Sequence, residues 1–206
     1  MSITCRLCGN SNLISVLDLG ASPPCESFLS EEQLDRPEET YPLHLRLCPD
    51  CLLLQIPALI TPEDTFGGDY AYHSSCSTSW VEHARRFVDQ AVDALGLDPD
   101  GFVVEVAAND GYLLQHVVNR GIRCLGIEPS VNCSEAALAK GIPMLRAFLD
   151  EALAARVRDE HGPADLVVAN NVFAHIPDIT GFAAGLRGLV ADTGRVSIEV
   201  HHALSL

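Results

Sequence analysis

The run Val103-Val104-Glu105-Val106-Ala107-Ala108-Asn109-Asp110-Gly111 decides the fold of this chain. Valines lead into small residues, an Asn-Asp pair and a glycine, and a helical pattern follows. The run therefore reads as a strand that turns sharply into a helix, and small residues plus glycine at such a turn let a ligand approach the backbone closely. One glycine lacks the GxGxxG spacing of a dinucleotide site and is a weak signal alone.

Working outward, strand-like and helical runs alternate. The pattern predicts strands over 102–107, 123–128, 142–145, 166–170 and 195–200, with helices over 112–119, 133–140, 149–160 and 180–190 between them. Gly121 and Gly141 follow the first two helices as stops. Strands separated by helices require crossover connections, which are right-handed, so the predicted class is α/β with a Rossmann-like parallel sheet. Upstream, Trp80, Ala84, Phe87, Val88, Ala91, Val92 and Leu95 share one helix face, with Ser79 as N-cap and Gly96 as stop. Three zones result: a module over 1–62, a linker and helix over 63–98 lining the substrate and cofactor cleft, and a nucleotide-type domain over 99–206.

The 206 residues are 48% hydrophobic, enough to build a core, and 20% charged with a net charge of −15. So acidic a chain has no cations to spare for a nucleic-acid groove or an anionic membrane surface. The start, MSITCRLCGN, has neither the basic nor the apolar region of a signal peptide, and no apolar run is long enough to span a bilayer. Eight cysteines in such a chain point to a reducing cytoplasm, where they serve as metal ligands, reactive thiols or small core residues.

Four of the eight are paired, as Cys5-x2-Cys8 and Cys48-x2-Cys51. Two such pairs can turn four thiolates tetrahedrally onto one Zn2+, and a set of four thiolates leaves no open position, so the site is structural. A redox CxxC is the rival, weakened because neither pair opens a helix in an α/β unit. Cys124 falls inside a predicted strand and reads as core.

Two acids bear on the ligand. Glu128 ends the second strand of the α/β zone, where a carboxylate can accept hydrogen bonds from both hydroxyls of a ribose. Glu105 opens the first turn, where an acid disfavours a diphosphate and can face a cation. Together they favour S-adenosylmethionine over NAD; read singly, each is also consistent with a salt bridge or a solvated strand end. After the fourth strand, Asn170-Asn171-Val172-Phe173-Ala174-His175-Ile176-Pro177-Asp178 forms a loop at the same sheet edge. His175 there is either a satisfied polar residue or a titratable group near the ligand.

The paired cysteines, then DYAYHSSCSTSW, EVAANDGYLLQ, GIEPS and NNVFAHIPD, occur in that order. The whole chain strongly resembles the zinc-containing, S-adenosylmethionine-dependent sugar C-methyltransferases of deoxysugar pathways, known from antibiotic biosynthesis. The resemblance implies structural zinc on Cys5, Cys8, Cys48 and Cys51. It implies cofactor contacts at Glu105, Asn109, Gly111 and Glu128, with Asn170 and Asn171 near the adenosine or methionine part. It places Tyr70 and His175 beside the sugar as catalytic residues, and implies a thymidine-diphosphate-linked keto-deoxysugar substrate, methylated beside the ketone through an enolate. Tyr70 and Tyr72 are equally readable as filling between modules, and His73 as ordering its loop. Relatives in this family continue beyond the present last residue with a Tyr-His-Glu-His segment that supplies the base, and with a further domain. The expectation is therefore a C-terminally incomplete sheet whose fifth strand is an edge, and a chain that needs a missing C-terminal domain or a partner. A non-catalytic relative that binds zinc or cofactor and assists a partner is the alternative. His201 and His202 are not assigned the base role.

Overall fold

The computed structural model describes residues 3–202, so the outermost residues of the predicted first and last zones lie outside the described residues. The chain divides into two units, 1–61 and 62–206.

The first unit is built on an antiparallel sheet that periodicity did not reveal. Its strands are β1 (Ile14–Ser22), β2 (Tyr41–Leu47) and β3 (Leu54–Gln55), in that spatial order. Two register shifts interrupt β1 against β2, between Ser15 and Leu17 and between Asp18 and Ala21. Bulges of this kind break the period-2 alternation that marks a strand. Ile14, Val16, Leu17 and Leu19 are all exposed, so no single face of β1 reads as apolar.

The second unit begins with α1 (Pro62–Phe66), a loop with a 3-10 turn at Ser74–Cys76, and α2 (Thr78–Leu95). Then β4 (Phe102–Val106), α3 (Leu114–Val118), β5 (Arg123–Ile127), α4 (Val131–Ala139), β6 (Met144–Leu145), α5 (Glu151–His161), β7 (Ala164–Asn170), α6 (Ile179–Leu189) and β8 (Val190–Glu199) follow. The five strands pair in parallel in the order β6-β5-β4-β7-β8. The stretch 63–98 belongs to this unit. In β4, Phe102, Val104 and Val106 pack with Leu153, Val157, Phe182 and Leu186 of α5 and α6. Val103 faces the other way, with Ala84, Val88, Leu114, Val117 and Ala137 of α2, α3 and α4. Each large aliphatic side chain fully buried in these layers contributes about 1.5–3 kcal/mol.

Some predicted boundaries move. The cap of α2 is Ser77, not Ser79: the Ser77 hydroxyl accepts the Trp80 N–H at 3.3 Å, and Ser79 lies inside the helix. Gly96 does stop α2, at φ 64. The strand β8 starts at Val190, ahead of the predicted 195, because the chain pairs with Ala164 before an irregularity in its register. It is an edge strand of the sheet among the described residues, with Val196 and Ile198 exposed.

Candidate functional site

In the first unit the sulfurs of Cys5, Cys8, Cys48 and Cys51 lie within 4.8 Å of one another. The Cys5–Cys51 and Cys8–Cys48 sulfur pairs are each 3.5 Å apart. A tetrahedron of thiolates around zinc has sulfur edges of about 3.8 Å, so the set fits the ion. The two loops are built alike. Gly9 N–H donates to the Cys5 carbonyl at 2.9 Å, and Leu52 N–H to the Cys48 carbonyl at 3.0 Å. Cys5 N–H donates to Asn10 O and Cys48 N–H to Leu53 O. The residue after each pair is left-handed, Gly9 at φ 77 and Leu52 at φ 62. Burial pushes the Cys5 thiol up, but N–H groups of Cys8 and Leu7 and the Gln55 amide outweigh it and bring it down to about 6. At Cys8 the Asn10 N–H acts downward, but Cys48 beside it and partial desolvation drive the thiol up to about 12. Four sulfurs this close cannot all ionise without a cation among them, and a metal ion takes all four as thiolates.

In the second unit the turn after β4 is strained. Ala107 (φ 57), Asn109 (φ 50) and Gly111 (φ 76) are all left-handed, and the first two carry a Cβ that disfavours this by about 1–2 kcal/mol each. Glu128, at the end of β5, holds the turn: its carboxylate accepts Asn109 N–H through one oxygen and Ser130 N–H through the other, both at 2.9 Å. Gly111 is required by packing, because a Cβ there would collide with Ile142 and crowd Ala137 of α4. Glu105 is completely buried, and neither of its carboxylate oxygens has a hydrogen-bond partner. Burial, together with the charges of Glu128 and Asp110, raises its pKa well above the usual carboxylate range, and the nearby Tyr112 hydroxyl only partly opposes this.

The segment 66–76 is strapped across the ends of β4 and β5, held by residues the sequence reading did not single out. Asn132, in the first turn of α4, accepts Tyr70 N–H at 2.9 Å and donates to Tyr70 O at 2.8 Å. Ser130 donates to Phe66 O and Val131 N–H to Gly68 O, each at 3.0 Å. The side chain of Asn109 accepts Ser74 N–H at 2.8 Å and donates to Tyr72 O at 3.0 Å. Buried Asp110 accepts both the N–H and the hydroxyl of Ser75. Lys140 Nζ lies 3.4 Å from the Asp110 carboxylate and His73 Nδ1 lies 3.8 Å from it, so Asp110 has an ammonium group and an imidazole beside it. His73 thus orders its loop.

The strap and the loop after β7 meet at Phe66, whose ring lies 5.1 Å from Tyr70 and 6.0 Å from His175. The two residues singled out for chemistry therefore flank one aromatic ring. Asn170 donates to the Tyr112 hydroxyl at 3.2 Å, and Asn171, at φ 52, donates its N–H to Glu199 O at 2.7 Å. Trp80 stacks on Tyr112 from α2. Glu105, Tyr112 and Asn170 thus stand together at the C-terminal ends of the two central strands, with Glu128 beside them. No helix among the described residues is long and apolar enough to cross a membrane.

A parallel sheet in this order, with acids at the ends of adjacent strands and a tight turn after the central one, defines a Rossmann-like nucleotide-type domain of the class I methyltransferase architecture. The chain belongs to the methyltransferase domain family, whose model matches residues 80–205. A second family model, described as "Putative zinc binding domain", matches residues 5–66. The chain is 31% identical over 202 residues to the C-methyltransferase NovU of Streptomyces niveus, covering 98% of this chain and 48% of that one. It thus spans about half the length of the curated relative it matches. Among solved structures it is similar to an S-adenosylmethionine-dependent methyltransferase from Anabaena variabilis, at 22% identity and TM-score 0.47, over 56% of this chain and 50% of the other. It is also similar to one from Thiobacillus denitrificans in complex with S-adenosyl-L-homocysteine, at 19% identity and TM-score 0.43, over 56% of this chain and 47% of the other.

Proposed function

We propose that this chain carries the zinc module and the cofactor site of an S-adenosylmethionine-dependent C-methyltransferase acting on a nucleotide-diphosphate-linked keto-deoxysugar. The observation that carries the cofactor reading is the pair of acids at adjacent strand ends: buried Glu105 with no partner, and Glu128 with acceptor capacity left on both oxygens. A partnerless buried carboxylate suits a cationic ligand, and Glu128 suits a ribose diol. The likeness to a C-methyltransferase along nearly the whole chain supports carbon as the acceptor atom. The bound cofactor would supply an electrophilic methyl group.

The protein's own part is to bind, orient and move a proton. Glu128 and the turn 107–111 hold the nucleoside, and Asn170 and Asn171 line the same edge. A ketone makes the neighbouring C–H acidic enough for a side-chain base, and His175 is the titratable group placed to handle that proton. Tyr70 donates a hydrogen bond to the enolate oxygen, stabilising charge as it develops. Cys5, Cys8, Cys48 and Cys51 hold structural zinc.

Calorimetric titration with S-adenosylmethionine tests the cofactor site. Glu128→Ala should weaken binding by about 1.5–3 kcal/mol for each charge-assisted bond lost; equal affinities place the ribose elsewhere. Methyl transfer to a thymidine-diphosphate keto-deoxysugar, followed with deuterium washout at the acceptor carbon, tests the chemistry. His175→Ala should slow turnover by roughly 10²–10⁴-fold in a protein that includes any further segment. Cofactor binding without transfer in that longer protein would point to the non-catalytic reading.

A further inference from the structure

Three carboxylates are buried around the turn after β4, and the structure treats them differently. Asp110 has Lys140, His73 and Ser75 about it. Glu128 has two backbone N–H donors. Glu105 makes no hydrogen bond of ordinary geometry, has only the Tyr112 hydroxyl near it as a weak donor, and is closed off from solvent. An ionised carboxylate cannot persist fully buried beside two like charges without a donor or a cation.

We propose that Glu105 is held as the neutral carboxylic acid in the ligand-free protein and gives its proton to solvent when cationic S-adenosylmethionine takes the site. The proposal deepens, and rests on, the reading of this edge as an S-adenosylmethionine site. The groups that face Glu105 are all neutral or negative. Tyr112, at the start of the helical turn, is itself pushed upward by burial and stays a neutral phenol. Cys124 on β5 is pushed up by burial and stays a neutral thiol. Glu128 and Asp110 add like charge from the strand end and the turn. Asn170 from β7 is uncharged, and α2 presents Trp80, Ala84 and Val88 to this layer. His83 on α2 is turned to Glu199, at 2.9 Å. The positive charge of Lys140 is spent on Asp110, and the His73 ring lies between the Asp110 carboxylate and the Asn132 side-chain amide. The cation that Glu105 lacks must come with the ligand, whose sulfonium and ammonium groups both qualify.

Binding that expels one proton strengthens as pH rises, by up to tenfold per unit while free Glu105 remains protonated. The ligand-free fold moves the opposite way. A carboxyl whose pKa is raised on folding stabilises fully below its unfolded pKa and loses that contribution as pH climbs toward the folded one. The unfolding constant should therefore rise by up to tenfold per unit in that window.

The test is calorimetry of S-adenosylmethionine binding in phosphate, HEPES and Tris at one pH, with wild type and Glu105→Gln. Wild type should release about one more proton per ligand than the variant. Equal release by two binding-competent proteins overturns the inference and leaves the cofactor reading standing. No binding by wild type overturns both. Should Glu105→Gln not fold, the 13C shift of the Glu105 carboxyl in wild type, read with and without S-adenosylmethionine, replaces it. A carboxylate signal in the ligand-free protein at neutral pH overturns the inference.

Discussion

Among the described residues of the first unit, the buried apolar side chains are Cys5 and Cys48, both members of the sulfur cluster. The second unit instead buries aliphatic and aromatic side chains on both faces of a parallel sheet. The contrast teaches how each part is stabilised. In residues 1–61 nearly every large apolar side chain is at least partly exposed, and the order of the segment converges on four sulfurs. In 62–206 the driving force is area removed from water, and the polar groups at the strand ends are left for chemistry.

Metal removal should break this comparison most sharply. Structural zinc in small Cys-rich modules supplies about 10–16 kcal/mol of coupled folding free energy. Chelation, or Cys48→Ser, should therefore expose β1 and β2 to rapid amide exchange while β4 and β7 stay protected. One zinc per chain is the expected elemental analysis. No zinc, and no change on chelation, would mean the sheet of the first unit holds itself. Next in size, Gly111→Ala should strike only the packed unit. It combines a left-handed backbone with overpacking against Ile142, for about 2–5 kcal/mol in total. Denaturant unfolding that separates the two units would read it. Smallest is Leu52→Gly. The two cysteine loops share one backbone hydrogen-bond pattern, but glycine holds the left-handed position in one and leucine in the other. The change should relieve about 1–2 kcal/mol of strain and return about 0.5–1 through backbone entropy, a net gain of at most about 1.5 kcal/mol. Competition with a chelator should show slightly tighter metal retention. A loss would mean that the Leu52 side chain contributes to the module.

What the sequence disclosed divides along the same line. The parallel sheet was legible because its strands are runs of buried apolar residues and its helices keep a period of 3.6, signals that one burial pattern imposes locally. The cysteine pairs were legible because ligand spacing is set by the chain itself. The sheet of the first unit was not, since bulges and two exposed faces erase alternation in β1. The anchoring roles of Asp110 and Asn132 are illegible in the sequence for another reason. Their partners lie 35 and 62 positions away, and a polar side chain that bonds a distant backbone leaves no periodic trace. The crowded Asn109-Asp110 pair in a left-handed turn was the one available hint. Asn109 shows the same limit: its position at the turn was readable, but its attachment to Tyr72 and Ser74 was not.

The strap over 66–76 has a consequence for the birth of the chain. Its backbone is secured by Asn132, which emerges from the ribosome 62 residues after Tyr70. At roughly 5–20 residues per second the strap waits on the order of 3–12 s for that anchor. Until then Phe66 and Tyr70 await Ser130 and Asn132, a window in which a nascent-chain chaperone has aromatic residues to hold. Folding of this edge is thus timed by translation of α4 rather than by the strap's own synthesis.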